Sequence, residues 1–159
     1  MFVRVAQDDP LAAPLLAELA TEYAQRYDGS ADAIHTWLSG YPAAEFAEPG
    51  GALVIGLLDG QPVTGGAFRR FDESTAELKR IWTDARYRRR GLATSLLAEL
   101  ETDIAGRGYT RIYLTTGDRQ PEAERLYESA GYTRLAEPLI AKGAANDEVY
   151  PVAFQKVLT

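Results

Sequence analysis

The sequence predicts a mixed α/β (α+β) fold in which one mostly antiparallel sheet is flanked by helices. Two observations carry that reading. Residues 52–83 hold three strand-like runs in succession, joined by the turn sequences Asp59-Gly60 and Asp72-Glu73-Ser74; strands joined by such short turns run antiparallel. Residues 91–105 then place apolar residues at helical spacing and lead into a further strand run, which makes a strand–helix–strand unit.

In chain order, residues 2–6 read as a short first strand. Pro10, suited to an early helix position, precedes a helical stripe of Leu11, Leu15, Leu16, Leu19 and Tyr23 that ends near Asp28-Gly29. Ser30 caps a short helix over 31–38, closed by Ser39-Gly40, and the Pro-, Ala- and Gly-containing stretch 41–51 reads as a loop. Runs 52–58 and 62–71 form a hairpin about Asp59-Gly60, and 75–83 adds the third strand. The helix over 91–105 presents Leu92, Leu96, Leu97, Leu100 and Ile104 on one face and stops at Gly106-Arg107-Gly108. Residues 111–115 alternate as a strand, 121–130 form a helix ended by Gly131, and 149–157 form the last strand, where Pro151 suggests an edge or a bulge. Internal repeats, low-complexity tracts and linkers are absent from the sequence, so a single domain over 1–159 is expected.

Composition mainly excludes. Of 159 residues 46% are hydrophobic and 25% charged, enough for one buried core. With no cysteine, disulfides, thiolate metal sites and cysteine nucleophiles are ruled out, and no metal is expected. The start Met1-Phe2-Val3-Arg4 lacks a signal-peptide stretch and no run nears the roughly 18 apolar residues of a membrane span; a cytoplasmic protein without a membrane partner is expected. A formal net charge of −6 argues against a nucleic-acid partner, since phosphate backbones reward positive surfaces.

Against that acidic background Arg86, Arg88, Arg89 and Arg90 crowd into five positions, just before Gly91 and a helix start. A glycine there lets backbone approach a ligand closely, and the N–H groups of a first helical turn, with the helix dipole, favour an anion. Pyrophosphate is the expected target. The alternative, a solvated turn, leaves four like charges unneutralised side by side.

Arg88-Arg89-Arg90-Gly91-Leu92-Ala93 has the pattern Arg or Gln, two residues, Gly, one residue, Gly or Ala, and Leu126-Tyr127-Glu128 followed by Gly131-Tyr132 forms a second signature. Together, in this order and on these elements, they resemble the GNAT superfamily of acetyl-coenzyme A-dependent N-acetyltransferases over roughly residues 54–132. The resemblance implies a sheet splayed at the strand before the basic loop, whose backbone over Ile81, Trp82 and Thr83 binds the pantetheine arm. Ile81 N–H then faces the acetyl carbonyl and Thr83 bonds pantetheine amides. Arg88, Arg89, Arg90, Gly91, Leu92, Ala93 and Thr94 form the phosphate cradle. Gln120 stands where relatives often carry Asn, three residues before Ala123, and both are expected at the cofactor.

Tyr127 holds the position of a tyrosine near the cofactor sulfur and is the expected general acid; the alternative is a core tyrosine. Glu77 is the expected base, acting through water, with an exposed strand-end carboxylate as the alternative. Lys79 and Arg80 alternate on that strand, so one of them should face the cleft. Arg80 there would bind a substrate carboxylate, or else be a solvated strand residue. Trp37, Tyr41 and Phe46 lie where the resemblance puts the acceptor pocket, as does Tyr150, with ordinary packing aromatics as the alternative. His35 is expected to be a surface or capping residue rather than a catalyst.

The implied function is transfer of an acetyl group from acetyl-coenzyme A to an amine by direct attack in a ternary complex. The acceptor is a small molecule, or alternatively a protein N-terminus or lysine. A non-catalytic coenzyme A-binding sensor domain is a second possibility. A nucleotide-binding module is disfavoured, since Gly91 is not followed by Lys-Ser/Thr and no Gly-x-Gly-x-x-Gly occurs. The acidic chain favours cationic acceptors through steering, and the resemblance makes a homodimer a reasonable expectation.

Overall fold

The strands are β1 (Phe2–Arg4), β2 (Ala52–Leu58), β3 (Gln61–Arg70), β4 (Thr75–Thr83), β5 (Arg111–Thr116), β6 (Thr133–Leu135) and β7 (Val152–Val157). The helices are α1 (Ala13–Tyr27), α2 (Leu92–Gly106) and α3 (Pro121–Ser129). This computed structural model describes residues 1–6, 8–27, 46, 50–116, 121–137 and 152–158. The seven strands among the described residues join one sheet in the order β1-β2-β3-β4-β5-β7-β6. Neighbours are antiparallel except β4 and β5, which run parallel and are connected through α2.

Local chemistry explains the meander. Asp59 and Gly60 at the β2–β3 turn both have positive φ, 51° and 78°, the combination a two-residue hairpin needs to match strand twist. At the β3–β4 turn the Asp72 carboxylate accepts from Ser74 N–H at 2.9 Å, an Asx turn. The first helix begins as a 3₁₀ turn, Pro10–Ala12, where Asp9 Oδ1 accepts from Leu11 N–H at 2.9 Å.

Period-two alternation divides the sheet between two layers. Val54, Phe68, Ala76 and Leu78 pack with Leu96, Leu97, Leu100 and Ile104 of α2. Leu53, Ile55, Ala67 and Trp82 face the other way, onto Leu15, Leu16, Leu19 and Ala20 of α1. Each fully buried leucine contributes about 1.5–3 kcal/mol relative to exposure. Gly65 lets α1 lie directly on β3, because a Cβ there would stand 2.9 Å from Leu15 Cδ1 and 3.0 Å from the Val54 carbonyl oxygen.

Of the two alternatives that Pro151 suggested for the last strand, an edge or a bulge, the edge does not hold: β7 lies between β5 and β6. The edge on that side is β6, which the sequence reading did not contain; its Thr133 and Arg134 are exposed, so no apolar alternation marks it. The expected helix 31–38 and Pro151 lie outside the described residues, as does all of the expected loop 41–51 except Phe46, Gly50 and Gly51. Among the described residues no helix is long and apolar enough to cross a membrane, and no group of three His, Cys, Asp or Glu is placed to hold a metal.

Candidate functional site

Among the described residues the sheet opens between β4 and β5. β4 pairs with β5 through Thr75–Arg111, Ala76–Ile112 and Glu77–Tyr113. Beyond Glu77 the β4–β5 ladder stops: β4 runs on to Thr83 paired with β3 only, while β5 keeps its pairing with β7 out to Thr116. The β5-facing backbone edge from Leu78 onward is therefore left outside the ladder, a row of donors and acceptors of the kind that binds an extended ligand as another strand.

A bulge sits inside this open stretch. On β3, Gly65 pairs with Trp82 and Ala67 with Lys79, so Gly66 stands opposite both Arg80 and Ile81. Arg80 has φ 59°, left-handed backbone that costs a non-glycine residue about 1–2 kcal/mol. The bulge changes the alternation. Ala76 and Leu78 belong to the α2 layer and Trp82 to the α1 layer, while Ile81 packs toward α2, its Cδ1 filling the space above Gly66. Lys79, whose Nζ is 3.9 Å from Glu77, and Arg80, whose guanidinium lies 5.1 Å from the centre of the Phe46 ring, both fall on the α1 side. Alternation predicted one of the two there; the extra residue of the bulge puts both.

The open edge leads into the basic loop. Asp84 caps the 3₁₀ turn Ala85–Tyr87 by accepting from Arg86 N–H at 2.9 Å, and also takes Nε and Nη2 of Arg86 at 3.1 and 3.0 Å. This pairing with Arg86 holds the Asp84 carboxyl below its ordinary range and commits Arg86 to the loop itself. Arg88 Nε donates to the Thr83 carbonyl at 3.2 Å. Arg90 lies over the Tyr87 ring, 5.3 Å from its centre. Arg89 and Gly91 are both left-handed, φ 65° and 78°, and Gly91 is the N-cap of α2 without a side-chain cap. The first helical bond is Ser95 N–H to Gly91 O at 3.1 Å, so Leu92, Ala93 and Thr94 N–H precede the intrahelical ladder. Exposed Arg88, Arg89 and Arg90 rim that helix start. This is an anion-receptive geometry.

Glu77 is neither exposed nor at the strand's end. It is the third residue of β4 and 4% exposed, and its Oε1 accepts from Arg69 Nε at 3.0 Å. The sequence reading did not single out Arg69; counting back across the Asp72-Glu73-Ser74 turn places it opposite Glu77, as the ladder does. Trp82 turns its indole away from the opening and donates to Glu18 of α1, leaving backbone as its contribution to a cleft. There the Trp82 carbonyl accepts from Thr64 Oγ1 at 2.7 Å, and Thr83 Oγ1 lies 3.1 Å from the same hydroxyl.

Tyr127 is buried on α3, its ring centre 5.8 Å from those of both Tyr132 and Phe154. Burial raises its phenol well above the ordinary tyrosine value, so it carries its proton throughout the neutral range. Tyr132 O–H donates to Glu101 at 3.0 Å, and Lys156 joins that carboxylate at 3.0 Å. Ala123 packs partly buried against the same cluster. Trp37, Tyr41, Gln120, His35 and Tyr150 lie outside the described residues.

A mixed sheet that parts beside an arginine-rimmed helix start sets an open strand edge next to an anion-receptive helix terminus. Residues 14–132 match the acetyltransferase (GNAT) family, and the chain belongs to that family. It is 30% identical to N-acetylaspartate synthetase of Danio rerio over 106 residues, 66% of this chain and 38% of that relative, and so spans well under half of the relative's length. Two solved structures share the fold. An acetyltransferase of the GNAT family from Staphylococcus aureus Mu50 superposes with TM-score 0.78 at 17% identity, covering 100% of both chains. The PaiA N-acetyltransferase of Thermoplasma acidophilum, solved with coenzyme A, gives 0.72 at 15% identity, covering 99% and 98%.

Proposed function

We propose that this chain transfers the acetyl group of acetyl-coenzyme A to the amine of a small molecule, by direct attack in a ternary complex. The observation that carries the reading is the run of β4 backbone leaving the β5 ladder after Glu77 and leading, through the arginine loop, to the open N-terminus of α2. Family membership, the coenzyme A held by PaiA and the acetylated amino acid in the name of the Danio rerio relative support it.

The residues fit the cofactor. Leu92, Ala93 and Thr94 N–H groups, with Arg88, Arg89 and Arg90 around them, suit a pyrophosphate, and the β4 edge suits the amides of a pantetheine arm. When bound, acetyl-coenzyme A supplies an acetyl group activated as a thioester. Ile81 N–H would hold the acetyl oxygen, and Thr83, Gln120 and Ala123 would hold the arm. Glu77 accepts the amine proton through water. Tyr127, kept protonated by burial, would be the proton donor toward the leaving sulfur. With the phosphate end on the α2 side, the amine enters from the α1 side, where Glu77 lies.

A second reading has its own support. Glu77 is engaged by Arg69 and Lys79, and Tyr127 packs in the core, so both residues have structural work in a domain that binds coenzyme A without turnover. A thiol-release assay across amino acids, polyamines, aminoglycosides and a basic peptide separates the readings. Release of coenzyme A dependent on one amine class supports the enzyme, whereas silence with calorimetrically confirmed cofactor binding supports the sensor.

A further inference from the structure

We infer that Glu101 is a positioning residue for the proton donor Tyr127: through Tyr132 and Lys156 it fixes the Tyr127 phenol relative to α2, the helix whose start is the phosphate cradle. The inference rests on the acetyl-transfer reading with Tyr127 as donor, and adds to it how that donor is held. Among the described residues no group hydrogen-bonds the Tyr127 hydroxyl, and burial alone raises its phenol. Its place is therefore set by what its ring packs on, Tyr132 and Phe154, each 5.8 Å away between ring centres.

Both walls follow from local sequence. Gly131 has φ 93°, and α3 ends there in a Schellman motif: Gly131 N–H donates to the Glu128 carbonyl at 3.1 Å and Tyr132 N–H to the Tyr127 carbonyl at 3.0 Å. That turn sets the Tyr132 ring against the Tyr127 ring, with 61° between their planes. On β7, alternation puts Phe154 and Lys156 on one face. Phe154 closes the other side of the Tyr127 ring, and Lys156 Nζ donates to the Ala130 carbonyl at the end of α3, at 2.9 Å.

Glu101 is where these pieces meet. Its Oε2 accepts from the Tyr132 hydroxyl and its Oε1 from Lys156 Nζ, both at 3.0 Å, and Lys156 Nζ lies 5.6 Å from the centre of the Tyr132 ring. One carboxylate on α2 thus ties down the cap of α3 and the strand beside it. At 1.5 Å per residue it stands about 15 Å along α2 from Gly91, on a helix anchored by buried Leu97, Leu100 and Ile104, so the helix links the donor's walls to the cradle. Magnitudes favour positioning over stability. With Lys156 28% and Glu101 19% exposed at their side chains, the ion pair adds little to folding, whereas misplacing a reacting group by about 1 Å can cost on the order of 10²-fold in rate.

The test measures thiol release with the panel amine that is turned over fastest, acetyl-coenzyme A affinity by calorimetry, and the ring resonances of Tyr127 in the protein without cofactor, assigned by their loss in Tyr127→Phe. Tyr132→Phe keeps the ring and removes only the bond to Glu101. It should lower kcat about tenfold, leave acetyl-coenzyme A affinity unchanged and shift the Tyr127 resonances. Glu101→Ala should do the same or more, and Glu101→Gln, which still accepts from Tyr132, should recover part of the rate. Because Tyr132 acts through Tyr127, adding Tyr132→Phe to Tyr127→Phe should slow the enzyme no further. A wild-type kcat and unmoved Tyr127 resonances in Tyr132→Phe and Glu101→Ala, or a further tenfold loss when Tyr132→Phe is added to Tyr127→Phe, overturns the inference and leaves the acetyltransferase reading standing. Absence of turnover on any amine overturns the acetyltransferase reading, and this inference falls with it.

Discussion

Arg69 and Glu77 face each other across the β3–β4 ladder, Nε to Oε1 at 3.0 Å, with side chains 11% and 5% exposed. A pair so far from water is costly to break from one side, because the remaining charge keeps its desolvation penalty. Arg69→Met should destabilise the fold by about 3 kcal/mol, at the low end of such losses, because Lys79 stays 3.9 Å from the carboxylate. Arg69→Met combined with Glu77→Leu should recover most of it. Urea unfolding of the four proteins in the cycle measures the coupling, and strictly additive losses would contradict it.

Glu77→Gln separates structure from chemistry. The amide keeps the shape and can still accept from Arg69, so it should fold, yet lose the proton acceptor. An on the order of 10²-fold fall in kcat/KM with unchanged cofactor affinity is expected. An undiminished rate would leave Glu77 as a structural ion-pair partner.

Tyr127→Phe should lower kcat on the order of 10²-fold while leaving acetyl-coenzyme A binding nearly unchanged, as steady-state kinetics and calorimetry would show. Its stability should change little, because the ring contacts to Tyr132 and Phe154 remain. A rate equal to wild type would reduce Tyr127 to a core residue.

Burial raises both Tyr127 and Tyr132 above the ordinary phenol value, with Glu101 adding to the effect at Tyr132. Above about pH 10 the unfolded chain sheds these protons while the folded one keeps them. Stability contributed by each phenol is thus fully present below that pH and is lost as pH rises, by about 1.4 kcal/mol per pH unit for each group. Melting temperatures between pH 9 and 11 should fall more shallowly in Tyr127→Phe than in the wild-type protein, and parallel curves would contradict this.

Gly91 offers a cleaner probe of the cradle than the arginines do. A Cβ there meets nothing within 4 Å, but φ is 78°, so Gly91→Val is strained without clashing. It should cost about 1–2 kcal/mol of stability and weaken acetyl-coenzyme A binding about tenfold or more, read by calorimetry. Unchanged affinity would count against the N-terminus of α2 as the phosphate site.

Local signals were legible and long-range ones were not. β2 and β4 have the bounds that their apolar runs and turns indicate, because turn chemistry and alternation act over a few residues. β6 was missed since three residues with two exposed carry no period, and the interior place of β7 depends on pairing with β5, some forty residues earlier in the chain. The opening of β4 was expected from the family resemblance alone, because absent pairing leaves no trace in composition. The bulge was not expected at all: whether Arg80 points to α1 or α2 depends on Gly66 facing two residues across the ladder. In the site, Gly91 and the arginines announced an anion through backbone chemistry, whereas the commitment of Arg86 to Asp84 needed coordinates.

In the proposed function the β4 edge and the start of α2 form one cleft for acetyl-coenzyme A. Melting temperature with saturating acetyl-coenzyme A and, separately, with ATP tests it most directly, since a ligand that binds only the folded state raises it by mass action. A rise of several degrees with acetyl-coenzyme A and little with ATP is predicted. Equal shifts with both would indicate a phosphate cradle without a pantetheine channel, and no shift with either would contradict the cleft itself.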